Sequence, residues 1–368
     1  MIIVIDARMI SMSGIGRYIQ ALIPALIKNS SKLILLGKQK DIEKFPWAKQ
    51  VELIEVQAPI YSISEQKDIF LKTPKCDIFL SPHYNSPTWL PQAKKIAVII
   101  PDTNHLVFGK EMSVAKRLYG KLFYAVSVKK DIIFTISDFS KSEIVRFTKI
   151  DGDRIKVAKC AIDKNYFSSI QLQLESESFP PEISQFKHLD YILFTGNVKP
   201  HKNLKRSLLA FEKISATHPG LKFLIVGKKD NFISGDKAVF ELVENNPVLK
   251  ERVVFTGHLS DLELAYLYKN AKLFLFPSLY EGFGIPPLEA MFFGCPVIVS
   301  KEGSLPEICG DAAFYCNAYD VDDIAVSINE MLSNTALRND LIAKGFVKVN
   351  EYDWEYFNDA IVAGLMAS

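Results

Sequence analysis

Short runs rich in Ile, Val, Leu and Phe recur along this chain with amphipathic stretches between them, and that alternation restricts its fold most. IIVID (2–6), LILL (33–36), VELIEV (51–56), CDIFL (76–80), IAVII (96–100) and DIIFTIS (131–137) have the length and β-branched content of strands. GRYIQALIPALIK (16–28) and VAKRLYGKLFYAVSVKK (114–130) carry a helical period. Strands that alternate with helices predict a doubly wound α/β domain with a mostly parallel sheet. The rhythm stops at QLQLESESFPPEISQFKH (171–188), which is polar, holds a Pro-Pro pair and shows neither period, so it reads as an interdomain linker. It restarts with DYILFTG (190–196), LKFLIVG (221–227), RVVFTG (252–257), AKLFLFPS (271–278) and CPVIVS (295–300), and closes on three consecutive helical stretches. The expected organisation is a first domain over 1–170, a linker at 171–189, a second domain over 190–350 and a last helix at 351–368.

A chain of 368 residues with 48% hydrophobic and 23% charged residues has the size of two globular domains. No apolar run approaches the roughly 18 residues of a membrane span. Asp6 interrupts the apolar start, so no export signal is expected. The five cysteines (76, 160, 295, 309 and 316) are scattered without a CxxC, which suits reduced thiols in a cytosol. Residues 1–165 carry 26 Lys+Arg against 16 Asp+Glu, and the remainder 18 against 26. A basic first half is either ordinary solvated surface or the face for an anionic partner: headgroups, a lipid-linked phosphate or a nucleic acid. The cations are not interleaved with aromatics along a groove, which disfavours nucleic acid.

Ligands of open parallel sheets bind beyond the carboxyl ends of the strands, and a cleft between two such sheets is the expected place for chemistry here. Glycine-bearing turns stand there. In YEGFGIPPLEAMFFG (280–294) the glycines let backbone approach a ligand, and free N–H groups around Phe283, Gly284 and Ile285 would attract an anion. Pro286 and Pro287 are placed at helix position N1 and the residue before it. Glu281 would lie in the loop and Glu289 in the first helical turn, both as acceptors for sugar hydroxyls. The plainer alternative makes Glu289 a dipole-complementing residue and the glycines turn formers. TGNVKPHKNL (195–204) sets Lys199, His201 and Lys202 at another strand-to-helix turn, where cations meet a diphosphate or are merely solvated. DARMISMSGIGRYIQAL places Gly14, Gly16 and Arg17 between the first strand and first helix. It lacks the third glycine of a dinucleotide fingerprint, and no acid ends LILL, which argues against an NAD enzyme. SPHYNSPTWLP (81–91) offers His83, Tyr84 and Asn85 at a strand end, with a buried structural His as the alternative. The Asp-x-Asp at 151–153 sits in a turn with basic neighbours, so no metal is assigned.

The order Glu, Gly-Phe-Gly, Pro, Glu, then Gly-x-Pro-Val-Ile over residues 281–298 resembles the Glu-x7-Glu motif of retaining GT-B glycosyltransferases of family four. That resemblance implies two Rossmann-like domains facing a cleft, with the last helix crossing back to the first domain. It also implies hexose transfer from a nucleotide-diphosphate sugar to a hydroxyl without cofactor or metal. It assigns Glu281 to the donor sugar, Glu289 to the ribose and Lys202 to the pyrophosphate. His201 stands where the family usually has arginine. Asn197 belongs to the same donor loop, and Gly257, His258 and Leu259 line the base, with Ser260 as a helix cap. Gly14, Gly16 and Arg17 lie by the donor phosphate. AVIIPDTNHLVFG (97–109) has Pro101 at the position of the family's usual histidine, beside Asp102. That departure leaves His105 or His83 to take over the polar contact or the donor sugar to differ, with His83 and Asp102 as catalytic candidates beside Glu281 and Lys202, and keeps a non-catalytic sugar-nucleotide binder or an epimerase as rivals. The PHKN variant resembles mannosyltransferases using GDP-mannose. A saccharide or lipid-linked acceptor, and a cytoplasmic enzyme peripheral on the inner face of the plasma membrane, complete the expectation. Helix 114–130, with Lys116, Arg117, Lys121, Lys129 and Lys130 beside Leu118 and Leu122, is either its membrane face or an ordinary amphipathic helix.

Overall fold

The computed structural model describes residues 1–12, 14–196, 198–227 and 237–367. The chain divides into two compact units, Met1–Ala161 with Asp353–Ser368, and Ile162–Tyr352.

The first unit holds seven parallel strands, β1 (Ile2–Asp6), β2 (Lys32–Gly37), β3 (Glu52–Glu55), β4 (Cys76–Ser81), β5 (Ala93–Ile99), β6 (Ile132–Thr135) and β7 (Ile155–Val157), in the order 3-2-1-4-5-6-7. Ile3 pairs with Leu33 on one side and Ile78 on the other. The longer helices are α1 (Ile15–Asn29), α2 (Ile63–Lys72), α3 (Val114–Ser127) and α4 (Asp138–Thr148). Parallel strands covered on both faces have no wet side, which is why Val4, Ile5, Phe79, Leu80 and Val98 are all fully buried. Strand β7 is three residues at the sheet edge and has no apolar run of its own.

The second unit repeats the plan with β8 (Tyr191–Thr195), β9 (Lys222–Val226), β10 (Val253–Gly257), β11 (Leu273–Phe276), β12 (Val297–Ser300) and β13 (Phe314–Cys316), in the order 10-9-8-11-12-13. Its main helices include α5 (Lys164–Ser176), α6 (Leu204–Ile214), α7 (Asp261–Asn270), α8 (Ile285–Phe292), α9 (Val321–Ser333) and α10 (Thr335–Lys348). Each sheet changes winding direction once, between β1 and β4 in the first unit and between β8 and β11 in the second. These are the switch points at which open α/β sheets bind ligands.

The linker expected at 171–189 is corrected. Asp163 caps α5 through a bond from Tyr166 N to Oδ1 (2.9 Å), so 171–176 is the exposed end of a helix that starts well upstream. Phe167 and Ile170 form its buried side, and Phe167 packs against Phe292 and Phe293 at 5.5 and 5.4 Å. Pro181 then opens a short helix, a first-turn position that proline suits. The chain passes between units at 161/162, not across 171–189.

The last helix, α11 (Trp354–Met366), belongs to the first unit. Phe357 meets Tyr18 of α1 at 5.9 Å, and Asn358 Nδ2 donates to the Ala21 carbonyl at 3.1 Å. Gly364 permits this docking, because a Cβ there would lie 2.5 Å from Phe134 Cζ. Gly364→Leu should therefore cost about 1–3 kcal/mol by overpacking. Hydrogen exchange is expected to show lost protection in α11 while α7 and α8 keep theirs.

Candidate functional site

At the second unit's switch point, the loops after β8 and β11 cross. After Gly196 (φ 136°) the chain makes a 3-10 turn at Pro200–Lys202, and Asn203 takes a left-handed conformation (φ 63°) before α6. Asn203 is buried, and its amide donates to the carbonyls of Pro277 (3.1 Å) and Ala318 (2.6 Å) while accepting from Arg206 (3.0 Å). Leu279 N donates to the His201 carbonyl at 2.7 Å. One buried amide and one backbone bond thus fix the first loop against the second.

Across that crossing, Lys202 Nζ donates to Glu281 Oε1 at 2.7 Å, with side chains 18% and 14% exposed. The ammonium also stands 4.9 Å from the centre of the Phe276 ring. One of its three N–H groups serves Glu281, which leaves donors for an anion. The Glu281 backbone is itself braced. Its carbonyl accepts from Ser304 N (3.2 Å) and Ser304 Oγ (3.1 Å), and Gly303 (φ 67°) passes so close that a Cβ would lie 2.7 Å from Glu281 N.

Gly284 (φ 108°) caps α8, where a Cβ would meet Leu305 at 2.8 Å. Ile285 is the first helical residue, so Pro286 and Pro287 occupy the second and third positions, two steps later than their expected places. Glu289 correspondingly falls beyond the first turn, which removes the dipole-complementing reading. The prolines carry no N–H, so the donors at this helix start are concentrated on Phe283, Gly284 and Ile285. The Phe283 ring is buried edge-on against Tyr352, which leaves backbone alone for a ligand. Glu289 Oε2 lies 3.5 Å from the buried Tyr268 hydroxyl, which also bonds Thr195 at the end of β8.

Gly257 ends β10 with φ 80° and open space where a side chain would begin. His258 is exposed and Leu259 half-buried. Ser260 caps α7 in a reciprocal pair with Glu263 (Ser260 N to Oε2, 2.7 Å; Glu263 N to Oγ, 3.2 Å). Asn197 lies outside the described residues. His201 does not act as a second cation: burial, then neighbouring Lys202, lower its pKa to about 4.

In the first unit, Gly14 (φ 74°) caps α1 in open space, with Arg17 N bonded to its carbonyl at 3.0 Å. Gly16 is a packing glycine, because a Cβ there would lie 2.5 Å from the Ile10 carbonyl oxygen. Asp102 Oδ1 accepts from Asn104 N at 2.9 Å and its carbonyl from Tyr124 OH at 2.8 Å. Tyr84 belongs to the core, stacked on Tyr124 at 4.2 Å. His83 is buried beside a small hollow at the ends of β1 and β4, and burial lowers its pKa to about 3. That hollow also holds Arg8 and Asp6, which motif reading missed. Arg8 grips Asp6 through Nε–Oδ1 (2.8 Å) and Nη2–Oδ2 (2.6 Å), and Glu65 through Nη1–Oε2 (3.1 Å). Asn85 and Tyr119 complete Glu65 at 2.8 and 2.9 Å. Two opposite charges at alternate positions of a strand end were the available signal; Glu65, on α2, offered none.

Among the described residues, no three His, Cys, Asp or Glu side chains cluster as they would around a metal. Asp151 of the Asp-x-Asp accepts from Asp153 N at 3.0 Å in a 3-10 turn.

The family model described as glycosyl transferases group 1 matches residues 176–347. The matched residues lie within the second unit, which is similar to the glycosyl transferases group 1. O-antigen chain mannosyltransferase B of Escherichia coli is 33% identical over 61% of this chain and 57% of its own length. O-antigen chain mannosyltransferase RfbU of Salmonella typhimurium is 28% identical over 66% of this chain and 62% of its own. The alignments therefore span less than two thirds of either relative. Among solved structures, Anabaena HepE in complex with UDP-glucose superposes with a TM-score of 0.75 at 14% identity, over all of both chains. The fold is GT-B, with the group 1 signature in the unit that holds Lys202 and Glu281.

His83 and His201 make stability depend on pH in one direction. Their folded pKa values, about 4 for His201 and about 3 for His83, lie below the unfolded value near 6.5. Above pH 6.5 both states are neutral. As pH falls below it the unfolded chain takes up protons first, so stability declines from there to about pH 3. His201→Gln and His83→Gln should each flatten the pH dependence of the denaturation midpoint between pH 6.5 and 4.

Proposed function

We propose that the protein is a retaining glycosyltransferase that moves a hexose from a nucleotide-diphosphate sugar to a saccharide hydroxyl. The observation that carries this reading is the Lys202–Glu281 pair at the second unit's switch point, beside the donors of Phe283, Gly284 and Ile285. Lys202 and those N–H groups bind the diphosphate, and Glu281 accepts from hydroxyls of the transferred sugar. Glu289 receives the ribose and the Gly257–Leu259 turn the base. As the C1–O bond to phosphate breaks, charge grows on the leaving oxygen, where fixed positive groups lower the barrier most. The acceptor oxygen bonds C1 on the face the phosphate leaves, and its proton passes to that phosphate. No metal is required in this scheme, because Lys202 and backbone donors neutralise the leaving group. GDP-mannose is the favoured donor, supported by relatives named as mannosyltransferases, and a surface or lipid-linked glycan is the favoured acceptor. His83 and Asp102 of the first unit are assigned to the acceptor side.

GDP should raise the melting temperature of the full chain; a ligand at 100 times its Kd adds roughly 2.7 kcal/mol. Lys202→Ala and Glu281→Ala should abolish transfer while leaving the protein folded, with the GDP shift reduced in Lys202→Ala. Absence of any shift with GDP, UDP, ADP or their sugars would remove the donor site.

The same reading places the enzyme on an anionic membrane surface through α3. Val114, Leu118 and Leu122 repeat at the helical i, i+4, i+8 spacing and are 62, 60 and 56% exposed, with Lys116 and Lys121 exposed beside them. The opposite side buries Phe123 and Tyr124. An outward apolar stripe flanked by cations suits interfacial binding. No described helix is long and apolar enough to cross a membrane. Leu118→Glu with Leu122→Glu should abolish cosedimentation with phosphatidylglycerol vesicles and leave the GDP shift intact.

A further inference from the structure

Strands β4 and β5 are parallel neighbours, yet no helix joins them. Residues 82–92 return instead as a loop from the carboxyl end of β4 to the amino end of β5, where Cys76 N, at the start of β4, donates to the Gln92 carbonyl at 3.0 Å. The loop is tied down along its length. Lys130 Nζ donates to the Pro87 carbonyl at 2.6 Å, Thr88 N donates to Gln66 Oε1 at 2.9 Å, and Leu90 is buried. Between these anchors Trp89 is turned outward and is 67% exposed. A fixed backbone that holds an indole in water forgoes hydrophobic burial, which a binding partner would recover. Phe70, near the end of α2, stacks on the indole with ring centres 5.1 Å apart and planes 17° from parallel. With Phe70 against one face, an indole so exposed turns its other face to solvent.

We propose that this ring pair, at the amino end of the first unit's sheet, is a platform for one sugar ring of a neutral saccharide chain. It lies at the opposite end of that sheet from the switch point. The platform goes beyond the transfer reaction proposed above and relies on that reading only for the presence of a glycan. Two half-buried glutamines flank it. Gln66 spends Oε1 on Thr88 N and Thr88 Oγ1 (3.4 Å) and has Nε2 unpaired. Gln92 donates through Nε2 to the Phe70 carbonyl at 2.8 Å and has Oε1 unpaired. One amide donor and one amide acceptor thus stand ready beside an aromatic face. A sugar ring presents the matching groups: C–H bonds that meet the negative π face, and hydroxyls that both donate and accept. Both unpaired atoms are shielded from water, so bonds to hydroxyls recover a cost already incurred. Both amides are neutral, which suits hydroxyls over phosphate. Leu71, exposed and next to Phe70 in sequence, extends the apolar surface, but acyl chains would bury the two amides without any partner.

Acrylamide quenching of tryptophan fluorescence reads the platform on the full chain, because Trp89 is exposed while Trp47 is buried and Trp354 half-buried. The probes are linear α-mannotetraose, maltotetraose and cellotetraose. At least one should shield Trp89 from acrylamide and receive saturation in ligand-observed transfer NMR. Trp89→Ala should weaken the NMR response roughly fivefold or more, and Trp89→Phe should restore most of it. Gln66→Glu keeps the acceptor for Thr88 N but replaces the free donor with a carboxylate oxygen, and should weaken binding roughly fivefold. Melting profiles check that each variant folds, and GDP-induced stabilisation should be the same in all of them. If no tetraose binds, or if wild type and Trp89→Ala bind equally, the inference fails. Shielding of Trp89 by phosphatidylglycerol vesicles but by no tetraose would make the pair a lipid contact and also overturn it. A failure of GDP to stabilise a wild type that binds tetraose would count against the donor reading alone.

Discussion

The bond between Lys202 and Glu281 is the constraint around which the second unit is arranged. It joins the loops that follow two neighbouring strands of opposite winding direction, 79 residues apart in sequence. Held largely out of solvent, an ammonium without a carboxylate would be costly, and so would the converse. The surrounding bonds keep the two groups in reach. Asn203 ties the first loop to Pro277, Ser304 ties Glu281 from behind, and Gly303 lets that strand-end loop approach the Glu281 backbone. On the proposed function, an arriving diphosphate would find a cation already positioned and largely desolvated, with little reorganisation left for binding.

The two units share one sheet order and use it with different electrostatics. In the second, the switch point presents a lysine with spare donors and a helix start whose prolines concentrate the free N–H groups. In the first, the corresponding place holds an arginine bound to Asp6, Glu65 and the Ala58 carbonyl, beside the buried side chains of His83 and Asn85. The charge balance of the second suits an anion and that of the first does not.

Strands were legible in the sequence wherever they were buried on both faces, because such strands need continuous apolar runs. Strands β7 and β13 are three residues each at sheet edges, IKV and FYC, and left no comparable run. The segment 171–189 misled because the outer end of α5 is polar, while its buried residues Phe167 and Ile170 lie just before the apparent break. The assignment of Lys202 and Glu281 to one donor site followed from resemblance to a family, and local spacing alone left a solvated basic loop open; the ion pair between them had no sequence signal. Glu65 had no signal, since its meaning lies in Arg8, Asn85 and Tyr119, which fold brings to it from three other segments. His201 looked cationic in sequence and is held neutral by burial, a property that composition does not carry.

The central claim is that Lys202 and the α8 start grip the diphosphate of a sugar nucleotide. The 31P spectrum of GDP-mannose with the full chain tests this most directly. The β-phosphorus resonance should shift and broaden on addition of the wild-type protein. Lys202→Met, folded to the same melting profile, should largely abolish the change. A β-phosphorus resonance that responds equally to both proteins would contradict the account.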